Sequence, residues 1–278
     1  MTQPFLPPFP PPDYDAPFMR SPPAPLRSSP SPAWSGTRAH SAAGFTLTEL
    51  AIALVIVGLL TGGLLLSLTT TRDIANEKET QKQLAMIQEA LLGFAVAQQR
   101  LPCPAAPNAT GVESPVGGGV CTNPYDGFLP GNTLGLAPTD AQGYVIDAWG
   151  NRIRYAVTTV SATSPNLFTT AAGLKSQWSA GPQPDLRVCN TAAGINAGNC
   201  AANASLTDSA VAVVFSTGRT GASAPRGADE QANLPPAAPQ TPDRVFVSTS
   251  PSPNFDDLVT WLSPNILYNR MIAAGRLP

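Results

Sequence analysis

The feature that most constrains this chain is the run GFTLTELAIALVIVGLLTGGLLLSL at positions 44–68. From Phe45 to Leu68 it holds 24 residues and one charge, Glu49. As a helix it is about 36 Å long, against a bilayer hydrocarbon core of roughly 30 Å. The run therefore predicts a transmembrane helix over 45–70. A helix buried in a soluble core rarely goes this far without charge. A secretory signal peptide fits no better: the basic residues lie too far upstream, the run is too long, and no small-x-small site closes it. Glu49 is the anomaly, because a carboxylate there costs about 2.5–3.5 kcal/mol on insertion scales and so marks a partner or a function, unless it snorkels to the headgroups.

The text on either side is different in kind. Residues 1–43 hold 12 of the 31 prolines, together with the single histidine, His40. Such a segment cannot sustain helix or ladder hydrogen bonding and reads as an extended leader, with Met19 as an alternative start. After the run, charged Arg72, Asp73, Glu77, Lys78, Glu79 and Lys82 alternate with Leu84, Ile87, Leu91 and Phe94 at intervals of three and four. That spacing predicts an amphipathic continuation of the helix over 71–100, with a bend at Gly62-Gly63 and a stop at Arg100-Leu101-Pro102. Arginines and lysines flank the span on both sides, so charge gives no vote on orientation.

The four cysteines give one. Cys103, Cys121, Cys189 and Cys200 all follow the run and match no zinc or redox spacing. Three pairings are open. Cys103 with Cys121 and Cys189 with Cys200 is favoured over the others and over free thiols, since each bond closes a short loop rich in Gly, Asn and Pro. Disulfides imply an oxidising compartment and hence a head, residues 101–278, outside the cytoplasm. Expected strands are Gly143–Ile146, Arg152–Val160, Ala210–Ser216 and Arg244–Ser248, with 161–209 read as loop-like with room for a short helix and Thr217–Pro242 as an exposed loop. Ser263 and Pro264 open a C-terminal helix to which Trp261, Ile266, Leu267, Met271 and Ile272 supply apolar contacts. The pattern is α+β: a long N-terminal helix, its first half transmembrane, packed on a small antiparallel sheet with long disulfide-braced loops.

Function classes fall away quickly. With 16 basic against 18 acidic residues, phosphate neutralisation has no surplus to work with, so no nucleic acid is expected as a partner. The motifs of nucleotide binding, zinc peptidases and serine hydrolases are missing. Lys78, Lys82 and Lys175 are the only lysines that a Ser/Lys hydrolase would have, and they stand on a helix or in a loop. No enzyme and no cofactor is expected. Asp256-Asp257 lends calcium only slight support, because no regular oxygen-rich loop surrounds the pair.

Gly44-Phe45-Thr46-Leu47-Thr48-Glu49-Leu50, followed by the apolar run, resembles the class III signal of type IV prepilins and type II secretion pseudopilins. The resemblance implies cleavage between Gly44 and Phe45 by prepilin peptidase and N-methylation of Phe45 by the same enzyme. It also implies that Glu49 neutralises the new amino terminus of a neighbouring Phe45 during filament assembly. A side chain at Gly44 would crowd a narrow protease subsite. Asp147-Ala148-Trp149-Gly150-Asn151, with Tyr155 shortly after, resembles a segment of major pseudopilins and several minor pilins. Physically it supplies a core anchor in Trp149, a tight turn at Gly150-Asn151 and a backbone-binding carboxylate in Asp147. Leu101-Pro102-Cys103-Pro104-Ala105 is similar to the turn after the helix in other pilin-like proteins. The reading is a minor pilin or pseudopilin, anchored once in the inner membrane with a periplasmic or surface-exposed head, and partnered by the peptidase and other subunits through the N-terminal helix. The alternative is a single-pass membrane-anchored adhesin or substrate-binding module that does not polymerise.

Overall fold

The computed structural model describes residues 44–278 except 109, 160–165, 177, 182, 197, 222–226 and 235–243, and for 61–70 and 180 it describes the backbone alone. The proline-rich leader over 1–43, with Met19 and His40, lies outside the described residues. Two units divide the chain, Met1–Val55 and Ile56–Pro278. In the first, the described part is a coil over 44–46 and the opening turns of helix α1 (Leu47–Gln98).

The chain continues through β1 (Gly127–Phe128), α2 (Gly131–Leu134), β2 (Arg154–Val157), α3 (Gly173–Ser176), a 3-10 turn at Trp178–Ala180, β3 (Leu186–Cys189), β4 (Ser205–Ala210), β5 (Ala212–Ser216), α4 (Ala228–Asn233), β6 (Val245–Val247), β7 (Leu258–Leu262) and α5 (Pro264–Ala273). α1 is 52 residues long and contains no proline; its backbone is helical through Gly62-Gly63. It stops where Gln99 turns left-handed at φ 56° and Pro102 follows.

Within the second unit, α1 buries Thr80, Gln83, Leu84, Ile87, Leu91, Leu92 and Ala95, a single stripe at helical spacing. Phe94, expected on that stripe, sits at its margin, where the guanidinium of Arg100 covers the ring at 5.0 Å. Ala95 takes the buried position instead.

The fold is α+β. Its main sheet has four antiparallel strands in the order β1-β2-β5-β7. β2 and β5 are buried on both faces, which the alternation of strand side chains makes possible. Tyr155, Val157, Ala212 and Val214 join Ile87, Leu91, Leu267 and Met271 in one core. Ala156, Val213 and Phe215 join Leu186, Val188 and Phe246 in another, between this sheet and a second. The second sheet, β4-β3-β6, departs from the antiparallel expectation, since β6 runs parallel to β3.

Several sequence expectations change. Gly143–Ile146 forms only isolated bridges, Val145 to Thr139 and Ile146 to Arg152, because the side chain of Asp140 holds a turn there through the N–H groups of Gln142 and Tyr144. The expected strand 210–216 is two strands that part at Val211 and serve different sheets. The stretch 161–209 contains a short helix, α3, as the sequence allowed, but also the strands β3 and β4, and the loop read over 217–242 contains α4.

The larger correction concerns the helix. Among the described residues, no helix is long and apolar enough to cross a membrane. α1 is mixed along its length, with Arg72, Asp73, Glu77, Lys78, Glu79 and Lys82 on the same helix as the apolar residues that open it. The transmembrane span expected over 45–70 is therefore not supported. The single-pass topology and the inner-membrane placement of the head, both inferred from that span, fall with it.

Candidate functional site

α1 begins abruptly, and the residues around its start are exposed. Gly44, Phe45 and Thr46 are outside the helix, with Phe45 88% and Leu47 86% exposed. The first helical bond runs from the N–H of Leu50 to the carbonyl of Thr46, at 3.1 Å. Thr46 is thus the N-cap and Glu49 the third helical residue. Their side chains bond reciprocally: the Thr46 hydroxyl accepts from the Glu49 N–H at 3.2 Å, and Glu49 Oε2 accepts from the Thr46 N–H at 2.9 Å and from its hydroxyl at 2.8 Å. This is a capping box, which satisfies two N–H groups that a helix start would otherwise leave bare. The Thr46 backbone N–H, and then its hydroxyl, hold the Glu49 carboxyl below its usual range. Beyond it, Leu50, Ile52, Leu54, Val55 and Ile56 are each more than half exposed, so the opening turns are apolar all round and uncovered.

In the head, Asp147 organises a tight turn. Its Oδ1 accepts from the N–H of Trp149 at 2.9 Å and of Asn151 at 2.8 Å, while Oδ2 accepts from the hydroxyl of Ser216. Gly150 stands at φ 87°, a left-handed conformation that side chains disfavour. Asn151 donates its amide to the carbonyl of Gly218 at 2.7 Å, joining the turn to the end of β5. Trp149 packs against the main core with its indole N–H buried and unpartnered. Tyr155 is fully enclosed in β2 and donates to the carbonyl of Pro102 at 3.1 Å; burial, and then the nearby Glu113 carboxylate, push its phenol well above the ordinary range.

Cys103 is bonded to Cys121 and Cys189 to Cys200, and no described cysteine is free. Between the end of α1 and the first disulfide loop lies a buried ion pair that sequence reading missed, Arg100 with Glu113, joined by two contacts of 2.7 Å. Glu113 also accepts from the N–H groups of Cys103 and Gly117. A glutamate inside a cysteine-bounded loop that is otherwise uncharged was the available signal.

Among the described residues, Glu230, Asp256 and Asp257 come closest to a cation-ligand set, with one oxygen of each within 4.8 Å of the others. Their lone pairs already serve the fold: Glu230 accepts from the Asp256 N–H, Asp256 from the N–H and hydroxyl of Thr220, and Asp257 from the amide of Asn233. Asn233 also bonds both the N–H and the carbonyl of Val247, closing the outer edge of β6. Burial pushes the Asp257 carboxyl up to about 7. The arrangement suits hydrogen-bonded carboxyls that fasten α4 to the segment leading into β7 better than it suits the six to eight oxygens of calcium.

Residues 40–65 match the family described as the prokaryotic N-terminal methylation motif. The protein carries that motif. The motif is typical of prepilins and pseudopilins, which are structural and non-catalytic. No curated protein and no solved structure matches the chain. Gly44, Phe45 and Glu49 all fall within the motif, as does Thr46, whose cap sequence reading overlooked. The signal was in plain view: Thr-x-x-Glu ahead of an apolar run is a capping box by spacing alone.

Proposed function

We propose that this chain is a minor pilin or pseudopilin, a structural subunit that prepilin peptidase cuts between Gly44 and Phe45. Water adds across that peptide bond, and Phe45 acquires a free amino group, which then takes a methyl group from a sulfonium methyl donor, leaving the thioether and releasing a proton. The subunit enters a filament through the apolar start of α1. The observation that carries this reading is the position of the methylation motif on an exposed coil and an uncovered apolar helix start, with the Gly44–Phe45 bond two residues ahead of the first helical residue. A peptidase needs extended backbone at the bond it cuts, and apolar turns exposed on every side need partners of their own kind. Glu49 gives each copy one negative charge close to where the neighbour's new amino group would lie, and that pairing offsets a desolvation cost which neither charge bears well alone. Two disulfides suit a head that matures in an oxidising environment.

Mass spectrometry of the amino terminus, after co-expression with a prepilin peptidase, tests the proposal. The expected product begins at a methylated Phe45. Retention of residues 1–44, or a cut elsewhere, overturns it.

A further inference from the structure

We propose that α4 is a proton-sensitive latch: it closes the outer edge of β6 while Asp257 is protonated and lets go when that carboxyl loses its proton. Asn233, the last residue of α4, holds both backbone groups of Val247, accepting from its N–H at 2.7 Å and donating to its carbonyl at 2.9 Å. It stands where a further strand would otherwise pair. The same amide donates to Asp257 Oδ2 at 2.8 Å. One side chain therefore joins the cover of the edge to a carboxyl that is only 6% exposed.

The surroundings of Asp257 oppose a negative charge. Glu230 approaches from α4 and Asp256 from its own segment, with one oxygen of each of the three within 4.8 Å of the others. On another side lies a groove of about 350 Å³, whose other polar lining residues, Gln81, Gln88, Ser248, Thr249 and Thr260, carry no charge. The groove gives the proton a route to water. Burial, with Glu230 and Asp256 adding to it and the Asn233 bond opposing it, raises the carboxyl to about 7.

α4 is the element that yields most cheaply. It is six residues long, and its N-cap, Gly227, offers no side chain to the first N–H groups. Asp229, bonded to Thr191 and Ala192, stays behind as the hinge. Swinging the Asn233 end outward hydrates Asp257 without unfolding the sheets. The sign follows from the two states. The closed carboxyl keeps its proton up to about pH 7 and the hydrated one gives it up near the ordinary 3.8, so closure is strongest below about pH 4, weakens about ten-fold per pH unit up to about 7, and is constant above that.

Hydrogen exchange of the full chain between about pH 5 and 8, read by mass spectrometry, tests the latch in wild type, Asp257→Asn and Asn233→Ala. In wild type, protection over β6 is expected to fall about ten-fold per pH unit up to about pH 7, beyond the ordinary base catalysis of exchange, and then to level off, while β5 stays better protected throughout. Asp257→Asn has no proton to lose there and is expected to keep at pH 8 the protection it has at pH 5. Asn233→Ala is expected to lose protection over β6 at every pH. A wild-type β6 whose protection ignores pH, or which falls only to the level of β5, overturns the proposal. So does an unchanged slope in Asp257→Asn, or wild-type protection in Asn233→Ala.

Discussion

Arg100 and Glu113 meet through two parallel contacts of 2.7 Å with side chains only 6% and 5% exposed, which buries a full ion pair between the end of α1 and the first disulfide loop. Arg100 comes from the end of α1 and also covers Phe94. Glu113 comes from the loop and binds the backbone of Cys103 beside the disulfide. The pair thus ties the end of the long helix to the loop that the disulfide closes.

Breaking this pair from one side leaves a buried charge without a partner. Glu113→Ala is expected to destabilise the head by about 3–5 kcal/mol, and Arg100→Met by a similar amount. The double variant should cost clearly less than the two single costs added together, because neither charge then remains. Urea unfolding of the four proteins measures the coupling, and strict additivity would show that the two groups do not act as a pair.

The two disulfides should differ in their effect. By chain entropy alone each loop is worth about 3 kcal/mol, with the 18-residue separation slightly above the 11-residue one. Replacing Cys103 and Cys121 with serine also loosens the backbone that holds Glu113, whereas the Cys189–Cys200 loop is tied separately, through Thr191 and Ala192 to Asp229. The first double variant is therefore expected to lose the larger stability. Equal losses on denaturant unfolding would mean that the ion pair persists without the bond.

What the sequence made legible follows its periodicities. The buried stripe of α1 is readable because Leu84, Ile87 and Leu91 keep helical spacing, and α5 because Pro264 opens it and Leu267 and Met271 share one face. β7 is not readable: Leu258 and Leu262 are buried while the three residues between them are half-buried, so no period of two appears. β3 and β4 hide for another reason, since Arg187 and Asp208 are charges on strands that satisfy each other across the pair. The apolar run misled about membrane crossing because it was judged apart from the charged residues that follow it on the same helix, and among the described residues no helix is long and apolar enough to cross. At the helix start, Glu49 drew attention as an isolated charge, and its partner three residues earlier passed unnoticed because threonine carries none.

Asp257 predicts a pH dependence with a definite sign. Its carboxyl is raised from an ordinary 3.8 to about 7, chiefly by burial, so between those values the folded state binds a proton that the unfolded chain has released. Stability from this group is full below about pH 4, declines as pH rises to about 7, and is flat above that. Asp257→Asn keeps an oxygen to accept from Asn233 without taking the charge, and is expected to gain stability over wild type at pH 8, by up to a few kcal/mol. At pH 4 the two should converge. Urea titrations at both pH values check this, and an equal difference at both would exclude proton uptake at Asp257.

Asp147 allows a prediction about how the turn after α2 is held to the sheet. Its two oxygens accept from Trp149, Asn151 and Ser216, so Asp147→Ala leaves two backbone N–H groups and a fully buried hydroxyl without their acceptor. Each unsatisfied buried donor costs about 1–3 kcal/mol, which sets an expected loss of about 3 kcal/mol or more once partial access of water to the turn is allowed for. Asp147→Asn retains one carbonyl oxygen and should recover part of that loss, whereas Ser216→Ala removes a single bond and should cost least. Trp149 follows the same turn into the core, so its near-ultraviolet circular dichroism should weaken in Asp147→Ala and persist in Ser216→Ala. An unchanged tryptophan signal in Asp147→Ala would mean that core packing, rather than the carboxylate, holds the indole in place.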